Sequence, residues 1–201
     1  YLPTITNSPV SLCSATRHYS WPKGAAILGI GANNMTSVYV NERAQMETKE
    51  LIKKLDLCLK SKTPLLNVVV IMGTTEESAV DPLAEVLAIR ETYRKKGLEF
   101  AIHADAAWGG YYKTMLNSND DSNPVYFKLM NEDAIVALPM SNYVTEQYKV
   151  LQLSDSITID PHKSGYVPYP AGGLCYRNSA MRNLVSFTAP VVYHGGVVTQ
   201  L

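Results

Sequence analysis

Cysteine is scarce in this sequence. Cys13, Cys58 and Cys175 lie far apart, with no CxxC pair and no zinc-like spacing. That excludes a disulfide framework, gives no motif for a metal, and points to a reducing, cytoplasmic compartment. Long apolar runs are missing as well. No stretch of roughly 18 residues qualifies as a membrane span. Net charge is absent: 18 basic residues balance 18 acidic ones. Nothing in that balance favours nucleic acid or an anionic membrane as a partner. The opening Tyr1-Leu2-Pro3-Thr4 carries neither a charged-then-apolar leader pattern nor an initiator methionine, and reads as the edge of a fragment. No internal repeat or low-complexity tract is present.

What is there is ordinary for a globular domain: 201 residues, 46% apolar and 18% charged. A chain of this length buries about 70% of its unfolded surface, enough for a real core. Its pattern alternates helix and strand. Ser20-Trp21-Pro22-Lys23 reads as a helix start with a first-turn proline, ending at Gly29. Ser37 to Val40 reads as a short strand. Met46 to Leu59 carries a helical stripe of Met46, Leu51, Ile52, Leu55 and Leu59. Leu65 to Met72 is a β-branched run, short enough for a strand buried on both faces. Asp81 and Pro82 read as an N-cap and first-turn proline for a helix over Leu83 to Tyr93, closed by Lys95-Lys96-Gly97. A strand from Leu98 to Ala104 then completes a βαβ unit. Asn117 to Pro124 is polar and turn-rich, a surface loop. Ser141 to Leu151 reads as helix, and Ser156 to Asp160 and Gly172 to Tyr176 as strands. The fold class expected is α/β, a mainly parallel sheet with flanking helices. Ligands of such sheets gather at the carboxyl ends of strands, where Thr74-Thr75, Asp105 and Lys163 fall.

Two stretches carry chemistry. A lysine after Asp160-Pro161-His162, at the end of an apolar strand, should be exposed, paired or used; a desolvated amine is nucleophilic and suits a Schiff base. Taken alone, Lys163 reads as a surface lysine in a turn. In Ile102-His103-Ala104-Asp105-Ala106-Ala107-Trp108-Gly109-Gly110, an acid after a strand is followed by small residues that leave room for a flat ligand. Such a carboxylate can pair with a protonated ring nitrogen, or simply cap a helix. His18, His103, Thr75, Tyr166 and Tyr169 each have an equally good structural reading as loop, packing or turn residues. His194, before Gly195-Gly196, has no assigned role.

HADAAWGG and DSITIDPHKSGYVPYPAGG, with Asp105 and Lys163 separated by 58 positions and Gly73-Thr74-Thr75 and Asp81 upstream, resemble the group II pyridoxal-phosphate decarboxylases. The similarity is greatest to the tyrosine decarboxylase type and weakest between Tyr111 and Ser141 and after Met181. The resemblance implies part of the large domain of a fold-type I, aspartate-aminotransferase-like enzyme over residues 1–201. The family's N-terminal segment and C-terminal small domain would be missing. It implies pyridoxal 5'-phosphate as cofactor, an amino acid as substrate (tyrosine or another aromatic favoured), amine and carbon dioxide as products, and a homodimer at full length. Lys163 would hold the cofactor, Asp105 would bind its ring nitrogen, and Ala107 and His18 would cover its two faces. Thr75 would lie near the ring substituents. His103 would lie beside Asp105, and Asp160 and His162 near the phosphate and the lysine. The family more often has asparagine where Asp160 stands, and an ionised aspartate cannot donate to a phosphate. The loop that grips the phosphate is not found in Tyr1 to Arg17, so the isolated chain is expected to be inactive. Other lyase or transaminase chemistry on the same scaffold, or a truncated non-catalytic chain, are the alternatives.

Overall fold

Val68, Val69 and Val70 are fully buried in β3 (Leu65–Ile71), because a β-branched run without polar alternation can only sit where both faces are covered. The computed structural model describes residues 7–116 and 140–185, with short strands at 126–128, 135–137, 187–188 and 199–200. Around β3 lies a six-stranded sheet in the order β2-β1-β3-β4-β7-β8. Its members are β1 (Val10–Ser14), β2 (Met35–Val38), β3, β4 (Ala101–Asp105), β7 (Ser156–Ile159) and β8 (Gly173–Tyr176). All neighbours run parallel except β7 and β8. Outside it, β5 (Tyr126–Lys128) pairs with β6 (Ile135–Ala137), and β9 (Phe187–Thr188) with β10 (Thr199–Gln200).

Among the described residues five α-helices accompany the sheet: α1 (Ser20–Ile27), α2 (Thr48–Ser61), α3 (Leu83–Lys95), α4 (Asn142–Lys149) and the short α5 (Arg182–Val185). α2 buries Leu51, Leu55 and Cys58, one stripe at helical spacing, and α3 buries Leu83, Val86, Leu87, Ile89 and Tyr93. Each such side chain contributes roughly 1.5–3 kcal/mol by leaving water. With Leu12, Val68, Val70, Ile102 and Tyr148 they form the main core. A smaller core of Cys13, Ala25, Met35, Val69 and Ile71 lies under α1, with Trp21 packed against it. No described helix is long and apolar enough to cross a membrane.

The expected α/β class holds, and four local expectations are corrected. The second strand is Met35–Val38 rather than Ser37–Val40, because Val40 pairs antiparallel with Met46 across a turn. That bridge also removes Met46 from α2, which starts at Thr48 behind an N-cap at Glu47. The strand expected from Leu98 begins at Ala101, since the Leu98 N–H still closes α3 on the Tyr93 carbonyl. Asp81 is not an N-cap: that position is Pro82, and a first-turn N–H of α3, that of Ala84, donates instead to Gln147 Oε1 at 2.9 Å. The Asn117–Pro124 loop and His194 lie outside the described residues. β1 was not anticipated at all. Its VSLCS sequence has serines where a strand signal needs branched apolar residues, yet Ser11 and Ser14 are buried with Leu12 and Cys13.

The Asp81 carboxylate is fully buried and accepts the backbone N–H groups of Met46 (2.6 Å) and Ile71 (2.8 Å). It ties the end of β3 to the Met46 bridge. Burial pushes its pKa from 3.8 up to about 7, against the lowering effect of the Ile71 and Met46 N–H groups. The folded chain therefore keeps this proton until about pH 7, whereas the unfolded chain releases it near 3.8. The contribution to stability is full below about pH 4 and lost as pH rises to 7, a span of roughly 4 kcal/mol at ~1.36 kcal/mol per unit. Urea denaturation across pH 4–7.5 is expected to show this slope, and Asp81→Asn is expected to flatten it. An equal slope in both proteins would place the titration elsewhere.

Candidate active site

Strand order reverses between β1 and β3, since β2 lies on one side of β1 and β3 on the other. A crevice opens at the carboxyl ends of strands at such a switch point. There the structure has a cavity of about 240 Å³. The segment after β1 contributes Thr16 and His18, β3 and its following turn contribute Ile71 and Gly73-Thr74-Thr75, β4 and its turn contribute Asp105 and Ala107, and β7 and its turn contribute Thr158, Asp160 and Lys163. Of the site residues expected from sequence, Lys163, Asp105, His18, Ala107, Thr75 and Asp160 line this cavity. His103 and His162 do not.

Asp105 ends β4. Its Oδ2 accepts the Trp21 indole N–H at 2.7 Å, and its Oδ1 accepts the Ala107 N–H at 3.3 Å. His103, two residues earlier on the same face of the strand, is held between the hydroxyls of Ser156 (2.7 Å to Nδ1) and Thr158 (3.1 Å to Nε2). Burial lowers its pKa, while Asp105 pulls the other way. It supports the floor of the site.

Lys163 sits in the turn after β7, where its N–H donates to the Asp160 carbonyl at 3.0 Å. Its ammonium pairs with Asp160 Oδ2 at 2.9 Å and lies 5.5 Å from the centre of the Trp108 ring. The lysine is thus paired, and Asp160 faces an amine. His162 donates to or accepts nothing in the cavity; its Nδ1 meets the Ala171 carbonyl and its ring packs edge-on to Tyr169. His18 precedes α1, where its Nδ1 bonds the Ser20 hydroxyl at 2.8 Å. Thr74 is buried and caps its own turn, accepting the Ala79 N–H and donating to Glu77, which leaves Thr75 exposed at the cavity.

Small residues keep the walls close. Gly73 adopts φ +105°, and a Cβ at Gly109 would lie 1.9 Å from the Met72 carbonyl oxygen and 2.2 Å from the Tyr148 hydroxyl. The turn after β4 thus packs directly on the end of β3. Gly109→Ala is expected to cost about 3 kcal/mol or more, because the obstacle is backbone and cannot rotate away. Urea denaturation of the variant checks this, and a loss below 1 kcal/mol would show the turn to be loose.

Sequence reading missed Trp21 as a site residue. Its bond to Asp105 spans 84 residues, and nothing in the local sequence marks it.

The donor set fits pyridoxal phosphate: an amine for its aldehyde, a carboxylate for its protonated ring nitrogen, hydroxyls for its polar substituents, and an alanine where a ring needs a flat wall. Among the described residues lining the cavity, Lys163 is the one lysine or arginine.

The fold and this site define a fold-type I pyridoxal-phosphate-binding layer. A family model described as the pyridoxal-dependent decarboxylase conserved domain matches residues 2–116, and the chain belongs to that family. L-tyrosine decarboxylase of Enterococcus faecium is 36% identical over 192 residues, 92% of this chain and 31% of that protein. L-tyrosine decarboxylase of Levilactobacillus brevis is 37% identical over 191 residues, 92% of this chain and 30% of that protein. Among solved structures, mouse CSAD in apo form superposes with a TM-score of 0.63 at 26% identity, covering 86% of this chain and 30% of that one. The chain spans about a third of the length of the curated relatives it matches.

Proposed function

We propose that this chain is the cofactor-holding core of a pyridoxal-phosphate-dependent amino-acid decarboxylase, giving an amine and carbon dioxide. One observation carries the reading: the Lys163 amine and the Asp105 carboxylate line a single cavity at the sheet's switch point. The bound cofactor would supply an electron sink for the pair released when the substrate's carboxylate departs. The chain's residues do the rest by placement. Lys163 offers the amine that holds the aldehyde carbon, and Asp160, 2.9 Å from it, keeps that amine directed into the site. Asp105 would face the ring nitrogen and hold its proton there. Ala107 would leave space on one face, His18 would cover the other, and Thr75 would supply a hydroxyl at the rim. His103 acts through its neighbours.

Tyrosine, or another aromatic amino acid, is the favoured substrate, supported by the L-tyrosine decarboxylases at 36% and 37% identity. The whole protein acts as a cytoplasmic homodimer in which this chain is part of the large domain. Other segments supply the phosphate grip and the small domain, consistent with relatives about three times as long. Three unpaired cysteines fit the reducing compartment. Incubating the full-length protein with pyridoxal phosphate and tyrosine, then separating products, tests the reading. Tyramine with an equal amount of carbon dioxide supports it. A keto acid or aldehyde in place of the amine means transaminase or other lyase chemistry on this scaffold.

A further inference from the structure

We propose that Trp21 is a positioning residue for Asp105, and through it for the cofactor's ring nitrogen; this rests on the cofactor reading above. Tryptophan has one polar atom, an N–H that only donates, so the direction of its 2.7 Å bond to Asp105 Oδ2 is unambiguous. The bond joins residues 84 positions apart, from the first turn of α1 to the end of β4. The other contact to this carboxylate, from the Ala107 N–H to Oδ1, is longer at 3.3 Å. The indole is therefore the stronger of the two hydrogen-bond restraints described on the carboxylate plane.

The indole is itself anchored. Its body packs against the core of Cys13, Ala25, Met35, Val69 and Ile71. Its edge meets the His103 ring at 5.2 Å between centroids and 62° between planes. His103 is fixed in turn by Ser156 and Thr158 on β7. A chain of contacts thus runs from β7 through His103 and Trp21 to Asp105, and ends at the cavity that both Trp21 and Asp105 line. A carboxylate free to swing would have to be ordered each time the ring nitrogen docks; one already held gives that interaction without the ordering cost. Phenylalanine at this position would keep the packing and lose the restraint.

The test measures cofactor affinity, by visible absorption and induced circular dichroism, in the full-length protein and in Trp21→Phe, each with Asp105 intact and with Asp105→Asn. The expected result is about a tenfold weaker affinity for Trp21→Phe, the scale of one hydrogen bond to a charged group, with a clearly smaller loss in the Asp105→Asn background, where the indole holds a neutral amide and no longer a charge facing the ring nitrogen. Unchanged affinity in folded Trp21→Phe, or an equal loss in both backgrounds, overturns the proposal and assigns Trp21 to packing alone. If Trp21→Phe does not fold, Trp21→Leu, which also has no donor, goes through the same cycle and is judged by the same two outcomes. A wild-type protein that is folded but takes up no pyridoxal phosphate overturns the cofactor reading and this proposal with it. The wild-type arm thereby separates the two failures.

Discussion

Lys163→Ala is expected to abolish borohydride-stable capture of pyridoxal phosphate at residue 163 and to lower turnover of the full-length protein by about 10³-fold, within the range for removing a positioned reactive group. Lys163 is the one amine among the described residues lining the cavity. Its side chain is only 24% exposed, and its backbone turn is fixed by the bond to Asp160. No neighbouring lysine can take its place without moving the turn. A purely structural Lys163 would exist to neutralise Asp160, and Lys163→Arg separates that role from chemistry. Arginine keeps the positive charge and can pair with Asp160, but its guanidinium does not form the covalent link. Lys163→Arg should therefore fold with near-normal stability and still fail to capture the cofactor. Label mapped to residue 163 alone in the wild type, and to none of the site in either variant, is the expected pattern. Scattered label over surface lysines in the wild type would sink the assignment.

The elements whose burial is two-sided or whose stripe is regular were legible in the sequence: β3 from its valines, and α2 and α3 from their spacing. The errors share a cause. Met46 and Asp81 are tied to each other across 35 residues, and Val40 follows Met46 into a bridge across a turn, so local propensity misassigned all three. β1 is buried by its neighbours on both sides of the sheet, a tertiary fact that serine and cysteine do not announce. At the site, the order of HADAAWGG and IDPHK identified Asp105 and Lys163 through resemblance, and their meeting in one cavity needed the parallel pairing of β4 and β7. The Asp160–Lys163 pair is a three-residue spacing within one turn. Trp21 reaches Asp105 across 84 residues, and nothing local foretells it.

Asp105→Asn is the second large effect expected. The substitution nearly preserves shape, so the fold should change by less than about 1 kcal/mol, as expected where no cavity is made. One amide oxygen remains to accept the Trp21 or the Ala107 N–H, but the other position becomes a donor. The charge is lost, and with it the partner that holds a proton on the ring nitrogen. Removing a preorganised electrostatic contact of this kind costs about 10²–10³-fold in turnover, and we expect that fall in kcat with a smaller change in KM. The same variant should bind cofactor more weakly, since a charge-assisted contact is replaced by a neutral one. The split matters: a substrate-binding role for Asp105 would raise KM and spare kcat, whereas a role at the ring nitrogen lowers kcat at saturating substrate. A folded Asp105→Asn protein with wild-type kcat would remove Asp105 from the chemistry and leave it a strand-end residue tied to α1. Asp105→Glu sharpens the comparison, because it restores the charge but lengthens the side chain past its 2.7 Å bond to Trp21. Partial recovery there, above Asn and below wild type, is the outcome that charge and position acting together require.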